Sequence, residues 1–394
     1  MVDGSDPGRA SVPDSGAPSY HWPFGQAVTP PPRRRPRSAG TGGIVAVAGL
    51  TALLVGAGAG FGASRLGTEH GSAAPTDPVV SADPVPLPPG ETTSTVEIAR
   101  RVVPGTVMIE VGSGNATETG SGFVLDREGH VMTNNHVVAG AAGGGRIRVV
   151  FSDGRQTTAT LVGRSPSYDL AVIKVAADDR LRPLELGDSG SARVGAPVVA
   201  VGAPLGLPGT VTQGIISALD RPVTVAESGS ADAPTAYIDG IQTDTSINPG
   251  NSGGPLVDAG ARVVGVNSAI LTLSGGQGQT GNIGIGFAIP VNQARTIGGL
   301  LIKDGKATYP VVGAQLEETT GGVELRSVEP GGAARRAGLR AGDLVSSVDG
   351  HAVESREALV VIVRTHRPGD RVTFGYVRGS ARAEAELTLG GRVG

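Results

Sequence analysis

The run Gly250-Asn251-Ser252-Gly253-Gly254-Pro255-Leu256-Val257 places a serine among three glycines, directly ahead of a short apolar segment. Glycine on both sides of a residue lets the backbone turn tightly and lets a second chain approach closely. Serine is a weak nucleophile at its ordinary pKa, so it needs a base beside it and a group that orients that base. It also needs backbone N–H donors where negative charge would develop. One turn over Gly250, Asn251 and Ser252 supplies such an oxyanion hole, with the Gly250 and Ser252 N–H groups expected to converge. The plainer reading of the run alone is a β-turn in a chain with 64 glycines.

The rest of the chain decides between these readings. Cysteine is absent, which excludes disulfides, thiolate metal sites and a cysteine nucleophile. The base must then be one of six histidines. His136 follows Met132-Thr133-Asn134-Asn135 and precedes Val137-Val138-Ala139-Gly140, where a strand ends and a short turn opens. His21 and His70 fall outside the folded part, His351 and His366 belong to a C-terminal domain, and His130 is expected in a solvated turn. The orienting carboxylate is expected at the head of a buried strand, and Asp169 precedes the apolar run Leu170-Ala171-Val172-Ile173. The order His136, Asp169, Ser252 is that of chymotrypsin-type triads and not that of subtilisin or the α/β-hydrolases.

Outward from these residues the texture is uniform between Val96 and Pro290. Short β-branched runs alternate with Gly, Asp, Asn and Ser turns, as in all-β barrels and sandwiches. About twelve such runs suit two six-stranded barrels, with His136 and Asp169 in the first and Ser252 in the second. Val291–Lys303 carries Ile297, Leu300 and Leu301 on one helical stripe. A small α+β domain follows, with strands expected at Val323–Val328, Leu344–Val348 and Val372–Tyr376, and helices at Ala333–Ala337 and Arg356–Arg364.

Ahead of the barrels, residues 1–42 are rich in Pro, Gly and Ser and read as a disordered cytoplasmic tail. Residues 43–64 are apolar and uncharged, and the length suits one transmembrane helix. The basic run Arg33-Arg34-Arg35-Pro36-Arg37 on its N-terminal side would keep that side in the cytoplasm. A cleaved signal peptide is the competing reading, disfavoured by the length of the apolar stretch. Residues 65–92 read as a Pro-rich linker. The expected setting is therefore a lipid bilayer spanned once, with the folded domains extracytoplasmic. Lys+Arg 33 against Asp+Glu 36 gives no bulk attraction to nucleic acid. No metal-ligand spacing or phosphate loop is present in the sequence, so no cofactor or metal is expected.

Four motifs together carry a family resemblance. Thr133-Asn134-Asn135-His136-Val137-Val138, Asp169-Leu170-Ala171-Val172-Ile173-Lys174, Gly250–Leu256 and Gly281-Asn282-Ile283-Gly284-Ile285-Gly286-Phe287-Ala288-Ile289-Pro290 resemble the HtrA (DegP/Do-like) serine proteases. The resemblance implies two chymotrypsin-like barrels over 93–305, a PDZ domain over 308–392, and hydrolysis of unfolded or misfolded proteins. It implies that Ile247, Ile270 and Leu271 line the primary specificity pocket, which ordinary core packing would explain equally well. It also holds open a homotrimer, although Val96–Val103 lacks the Phe and Tyr that form trimers in some members. Val328-Glu329-Pro330-Gly331-Gly332 and Ala341-Gly342-Asp343-Leu344-Val345 are similar to the family's PDZ signature. Val311, Val312, Gly313 and Ala314 align with the loop that holds a peptide's C-terminal carboxylate, and strand addition is the expected binding mode. The alternative is a PDZ-bearing membrane scaffold or chaperone with a catalytically weak barrel.

Overall fold

The computed structural model describes residues 94–113, 116–203, 209–226, 235–269 and 284–394. The expected tail (1–42), membrane helix (43–64) and linker (65–92) all lie outside these residues.

The first barrel closes in the order β1-β2-β3-β6-β5-β4, from β1 (Thr106–Ser113), β2 (Ala116–Val124), β3 (His130–Thr133), β4 (Arg146–Phe151), β5 (Gln156–Ser165) and β6 (Leu170–Lys174). The second closes as β10-β11-β12-β9-β8-β7, from β7 (Pro197–Gly202), β8 (Thr210–Ala226), β9 (Thr235–Thr243), β10 (Pro255–Asp258), β11 (Val263–Ser268) and β12 (Gly286–Pro290). Closure leaves neither sheet an open edge. Val107, Ile109, Val131 and Ile173 fill the first barrel, and Ile216, Ile241, Ile247 and Leu256 fill the second. Each such side chain contributes roughly 1.5–3 kcal/mol by leaving water.

Strand register positions the site. β3 and β6 run antiparallel with Thr133 opposite Ala171. The chain leaving β3 toward His136 and the chain entering β6 from Asp169 therefore emerge at one end of the barrel. In the second barrel Pro255 lies opposite Val266. The chain entering β10 from Ser252 thus meets the chain leaving β11 at Ser268.

Helix α1 (Thr95–Val102) leads into the first barrel, and a single-turn helix α2 (Asn135–Val138) follows β3. After β12, α3 (Val291–Asp304) packs Ile297 and Leu301 into a core shared with Met132 and Val172. The C-terminal sheet comprises β14 (Ala314–Thr319), β15 (Gly322–Val328), β16 (Leu344–Val348), β18 (Arg371–Arg378) and β19 (Ala381–Thr388), with β17 (His351–Ala352) paired to β16. Helices α4 (Ala333–Arg336) and α5 (Arg356–Thr365) complete it, and β13 (Thr308–Val311) pairs separately with β20 (Gly390–Val393). Barrels and sheet belong to one compact unit.

The expected fold class needs one correction. The mainly β architecture with a small α+β domain stands, but the transmembrane helix does not. Among the described residues no helix is long and apolar enough to cross a membrane. The longest, α3, has 14 residues including Arg295, Lys303 and Asp304. At 1.5 Å per residue it reaches about 21 Å, short of the ~30 Å hydrocarbon core.

Candidate active site

Asp169 sits at the C-terminal cap of the one-turn 3-10 helix Pro166–Tyr168, with φ 51° and ψ 41°. Aspartate is one of the few residues that tolerates this left-handed backbone. The turn lays its carboxylate under α2, where it is 2% exposed. Oδ1 accepts the His136 backbone N–H at 3.0 Å, and both carboxylate oxygens lie 2.9 Å from His136 Nδ1. Ser268 Oγ donates to Oδ2 at 3.5 Å, and Asn134 Nδ2 donates to the Asp169 carbonyl at 2.9 Å. An acceptor this close holds the ring proton on Nδ1 and leaves Nε2 bare. The imidazole is 16% exposed, buried enough to be oriented and open enough to meet a substrate.

Ser252 enters from the other barrel. Gly250 has φ +100° and Gly253 φ +84°, conformations that side chains with a Cβ rarely adopt. A Cβ on Gly253 would lie 2.2 Å from the Ser121 carbonyl oxygen and 2.4 Å from Thr133 Oγ1. The serine turn is therefore pressed against the strand ends that lead to His136. Ser121 on β2 fastens it: its Oγ donates to Gly250 O at 2.6 Å and accepts Ala203 N–H at 2.8 Å, and its own N–H donates to Ser252 O at 2.7 Å. The Gly250 and Ser252 N–H groups donate to no protein acceptor among the described residues, whereas Asn251 N–H donates to Asn248 O at 2.9 Å. The donors available to an oxyanion narrow to Gly250 and Ser252. Ser252 Oγ accepts the Ala269 N–H at 3.0 Å, and among the described residues no hydrogen bond joins it to His136. The adjoining Ser268 and Ala269 thus touch Asp169 and Ser252 respectively.

The structure brings His136, Asp169, Gly250, Asn251 and Ser252 to one cleft. Ile247 is fully buried in the second barrel's core, and Ile270 and Leu271 lie outside the described residues. His130 is not solvated as expected. It is buried, with Nδ1 2.6 Å from Asp126 Oδ2 and Nε2 3.3 Å from Lys174 Nζ. Ser121, Asn134 and Ser268 were not singled out from sequence. The signal for Ser121 was present in Gly120-Ser121-Gly122, a strand serine flanked by glycines. Ser268 offered only a polar residue ending an apolar strand.

In the C-terminal domain, Val311, Val312, Gly313 and Ala314 line a cavity of about 130 Å³ with Leu316, Leu359 and Val363. Gly313 has φ +72°, and its carbonyl accepts Glu329 N–H at 2.8 Å. The Val312 and Gly313 N–H groups donate to no backbone acceptor among the described residues. Strand β14, beside this loop, is an edge of its sheet.

Two antiparallel barrels meeting at a His–Asp pair and a glycine-flanked serine, followed by a small sheet with a side groove, define a trypsin-like peptidase with an appended peptide-binding module. Comparison with known proteins agrees. Residues 120–266 match the trypsin-like peptidase domain, and 310–389 match the PDZ domain. The serine protease PepD of Mycobacterium tuberculosis is 44% identical over 385 residues, covering 92% of this chain and 81% of PepD. The periplasmic serine endoprotease DegP of Escherichia coli is 37% identical over 283 residues, covering 68% of this chain and 56% of DegP. The HtrA-type protease AlgW, solved with a tripeptide, superposes with a TM-score of 0.60 at 33% identity, covering 76% of this chain and 97% of AlgW. The chain belongs to the HtrA family of serine proteases and is a serine endopeptidase carrying a PDZ domain.

Proposed function

We propose that His136, Asp169 and Ser252 are the catalytic triad and that peptide capture by the PDZ domain regulates it. The observation that carries the triad is the grip of the Asp169 carboxylate on both the backbone and Nδ1 of His136. A carboxylate so placed sets the tautomer of a general base and stabilises the imidazolium that forms. His136 Nε2 takes the Ser252 Oγ proton as Oγ bonds to the scissile carbonyl carbon. The oxyanion is held by the Gly250 and Ser252 N–H groups. The imidazolium then gives its proton to the departing amine, leaving an acyl-enzyme. Water, deprotonated by the same imidazole, releases the acyl group.

Ser252 Oγ resting on Ala269 N–H supports a regulated enzyme, because attack requires the hydroxyl to turn toward His136. A ligand can favour one arrangement only by binding it better. The N–H groups of Val312 and Gly313, which donate to no backbone acceptor among the described residues, lie beside an edge strand and suit an extended peptide ending in a free carboxylate. The proposed domains are 93–305 for the protease and 308–392 for PDZ. Substrates are unfolded or misfolded exported proteins, a reading supported by the periplasmic naming of relatives such as DegP. The test is hydrolysis of casein with and without Ser252→Ala, together with labelling by a serine-directed phosphonate. Activity or labelling that survives the substitution removes Ser252 from the role.

A further inference from the structure

One cation joins the peptide groove to the turn that presents Asp169. Arg364 lies in the last turn of α5, the helix whose Leu359 and Val363 form one wall of the groove. Its side chain points away from that helix into the barrels and is 8% exposed. Nη1 donates to the carbonyl of Ser167, two residues before Asp169 in the Pro166–Tyr168 turn. The guanidinium carbon stands 4.4 Å from the ring centre of Tyr309, 5.2 Å from that of Tyr237 and 5.6 Å from that of Tyr168. These rings come from three places: β13 at the start of the C-terminal domain, β9 of the second barrel and the turn itself. Among the described residues no carboxylate pairs with Arg364.

A guanidinium taken out of water without a counter-charge is costly, and aromatic faces plus one carbonyl recover part of that cost. Such a contact persists where its geometry is needed. The turn it grips is one that needs holding, since Asp169 adopts a left-handed backbone and its carboxylate must meet two nitrogens of His136 together. Arg155, Arg180 and Arg262, by contrast, pair with carboxylates near the surface, where such pairs count for little. Arg364 and the adjoining Val363 both line the groove cavity. A peptide seated between β14 and α5 would therefore press on the helix that carries the anchor.

We propose that Arg364 is a positioning residue for the Asp169–His136 pair and that it transmits occupancy of the peptide groove to that pair. The proposal rests on the triad assigned above. Its ligand is an extended peptide with a free carboxylate and small apolar C-terminal side chains, matching a groove walled by Val, Leu and Ala.

The test uses the full chain and compares wild type, Ser252→Ala, Arg364→Met and Arg364→Lys. Casein hydrolysis is followed from pH 5.5 to 9, with and without a synthetic decapeptide ending in Val-Ala. Methionine keeps the bulk and removes the charge, and lysine keeps the charge without the planar stacking face. Arg364→Met is expected to lower kcat about 10- to 100-fold with KM within about two-fold, as for an interaction felt in the transition state. The acid limb of its pH profile should move to lower pH, because a displaced Asp169 supports the imidazolium less. The decapeptide should change the wild-type rate several-fold and leave the Met variant unmoved, with the lysine variant between. A Met variant that melts cooperatively and keeps the wild-type pH profile and peptide response overturns the proposal. A wild-type rate indifferent to the decapeptide overturns the link to the groove. Should Arg364→Met fail to fold, Tyr237→Leu decides the matter, since it removes one ring of the cage from the barrel side. It should shift pH profile and peptide response in the same direction, and an unshifted variant overturns the proposal. Hydrolysis persisting in Ser252→Ala would sink the triad instead, which separates the two failures.

Discussion

The catalytic cleft and the junction between barrel and PDZ domain treat buried charge in opposite ways. In the cleft the carboxylate and the hydroxyls are paired: Asp169 accepts from His136 and Ser268, and Ser121 satisfies Gly250, Ala203 and Ser252 together, while Asn134 Oδ1 and Asn251 Oδ1 are buried with no partner among the described residues. At the junction, among the described residues, Arg364 is buried with no carboxylate paired to it, and the partly buried Asp239 has only the like charge of Asp220 acting on it. A cleft built this way holds Asp169 and His136 ready before substrate arrives, which is where electrostatic catalysis gains most, and leaves Ser252 Oγ to turn toward them. A junction built this way is held by costly contacts that a modest force can rebalance, as the proposed transmission through Arg364 would require.

The largest expected effect lies in the cleft. Ser252→Ala should lower kcat/KM by about 10⁴- to 10⁶-fold, as removal of a serine nucleophile does in other serine proteases. Its melting temperature should fall by a few degrees, because the substitution leaves the buried Ala269 N–H without its acceptor. A fall of less than tenfold would show that the cleft's preorganisation serves another nucleophile. Asp169→Asn comes next, at about 10⁴-fold in kcat, since an amide invites the wrong imidazole tautomer. Partial recovery at high pH would mark it as a tautomer defect rather than a collapsed turn.

Ser121→Ala is expected to cost less. It removes one hydroxyl that bridges the barrels, leaving the Gly250 carbonyl and Ala203 N–H buried without partners. That costs roughly 1–3 kcal/mol of stability. The Gly250–Ser252 turn should then wander, lowering kcat about tenfold and slowing phosphonate labelling in parallel, with KM within about two-fold. If stability falls while labelling keeps its wild-type rate, Ser121 is a fold residue only, and the contrast between cleft and junction weakens.

The same contrast explains what could be read from sequence. Ser252, His136 and Asp169 were legible because their neighbours are diagnostic: glycines that only a tight turn requires, and an acid at the head of an apolar run. The two barrels were legible through the alternation of β-branched runs and turn residues. Ser268 and Asn134 were not, because a polar residue beside a strand end has many ordinary uses, and only the register of β11 and β3 aims these two at Asp169. Arg364 was hidden more deeply. In sequence it sits on an amphipathic helix where a solvated arginine is the rule, and its burial depends on Tyr168, Tyr237 and Tyr309 converging from distant segments. His130 misled for a related reason, since the turn before it reads as exposed while Asp126 and Lys174 enclose it. The transmembrane reading rested on hydropathy in 43–64 alone, and no described helix bears it out.

The smallest effect concerns Asp239, which lines the crevice shared by Tyr168, Arg364 and His366. Burial, and then the nearby charge of Asp220, push its carboxyl up to about 6 from an ordinary 3.8. A carboxyl whose folded pKa is raised stabilises the fold fully below about pH 4, and that stabilisation is lost as pH rises through about 6. At pH 7.5 the ionised group carries a penalty of at most about 3 kcal/mol, at 1.36 kcal/mol per unit. Relaxation and partial solvation should leave about half of it. Asp239→Asn removes the titration but keeps the shape. Its melting temperature should match wild type near pH 4 and exceed it by about 2–4 °C at pH 7.5. An equal offset at both pH values would assign the change to packing and remove Asp239 from the set of strained junction charges. An offset that grows with pH would show the junction carrying an electrostatic cost that the cleft does not.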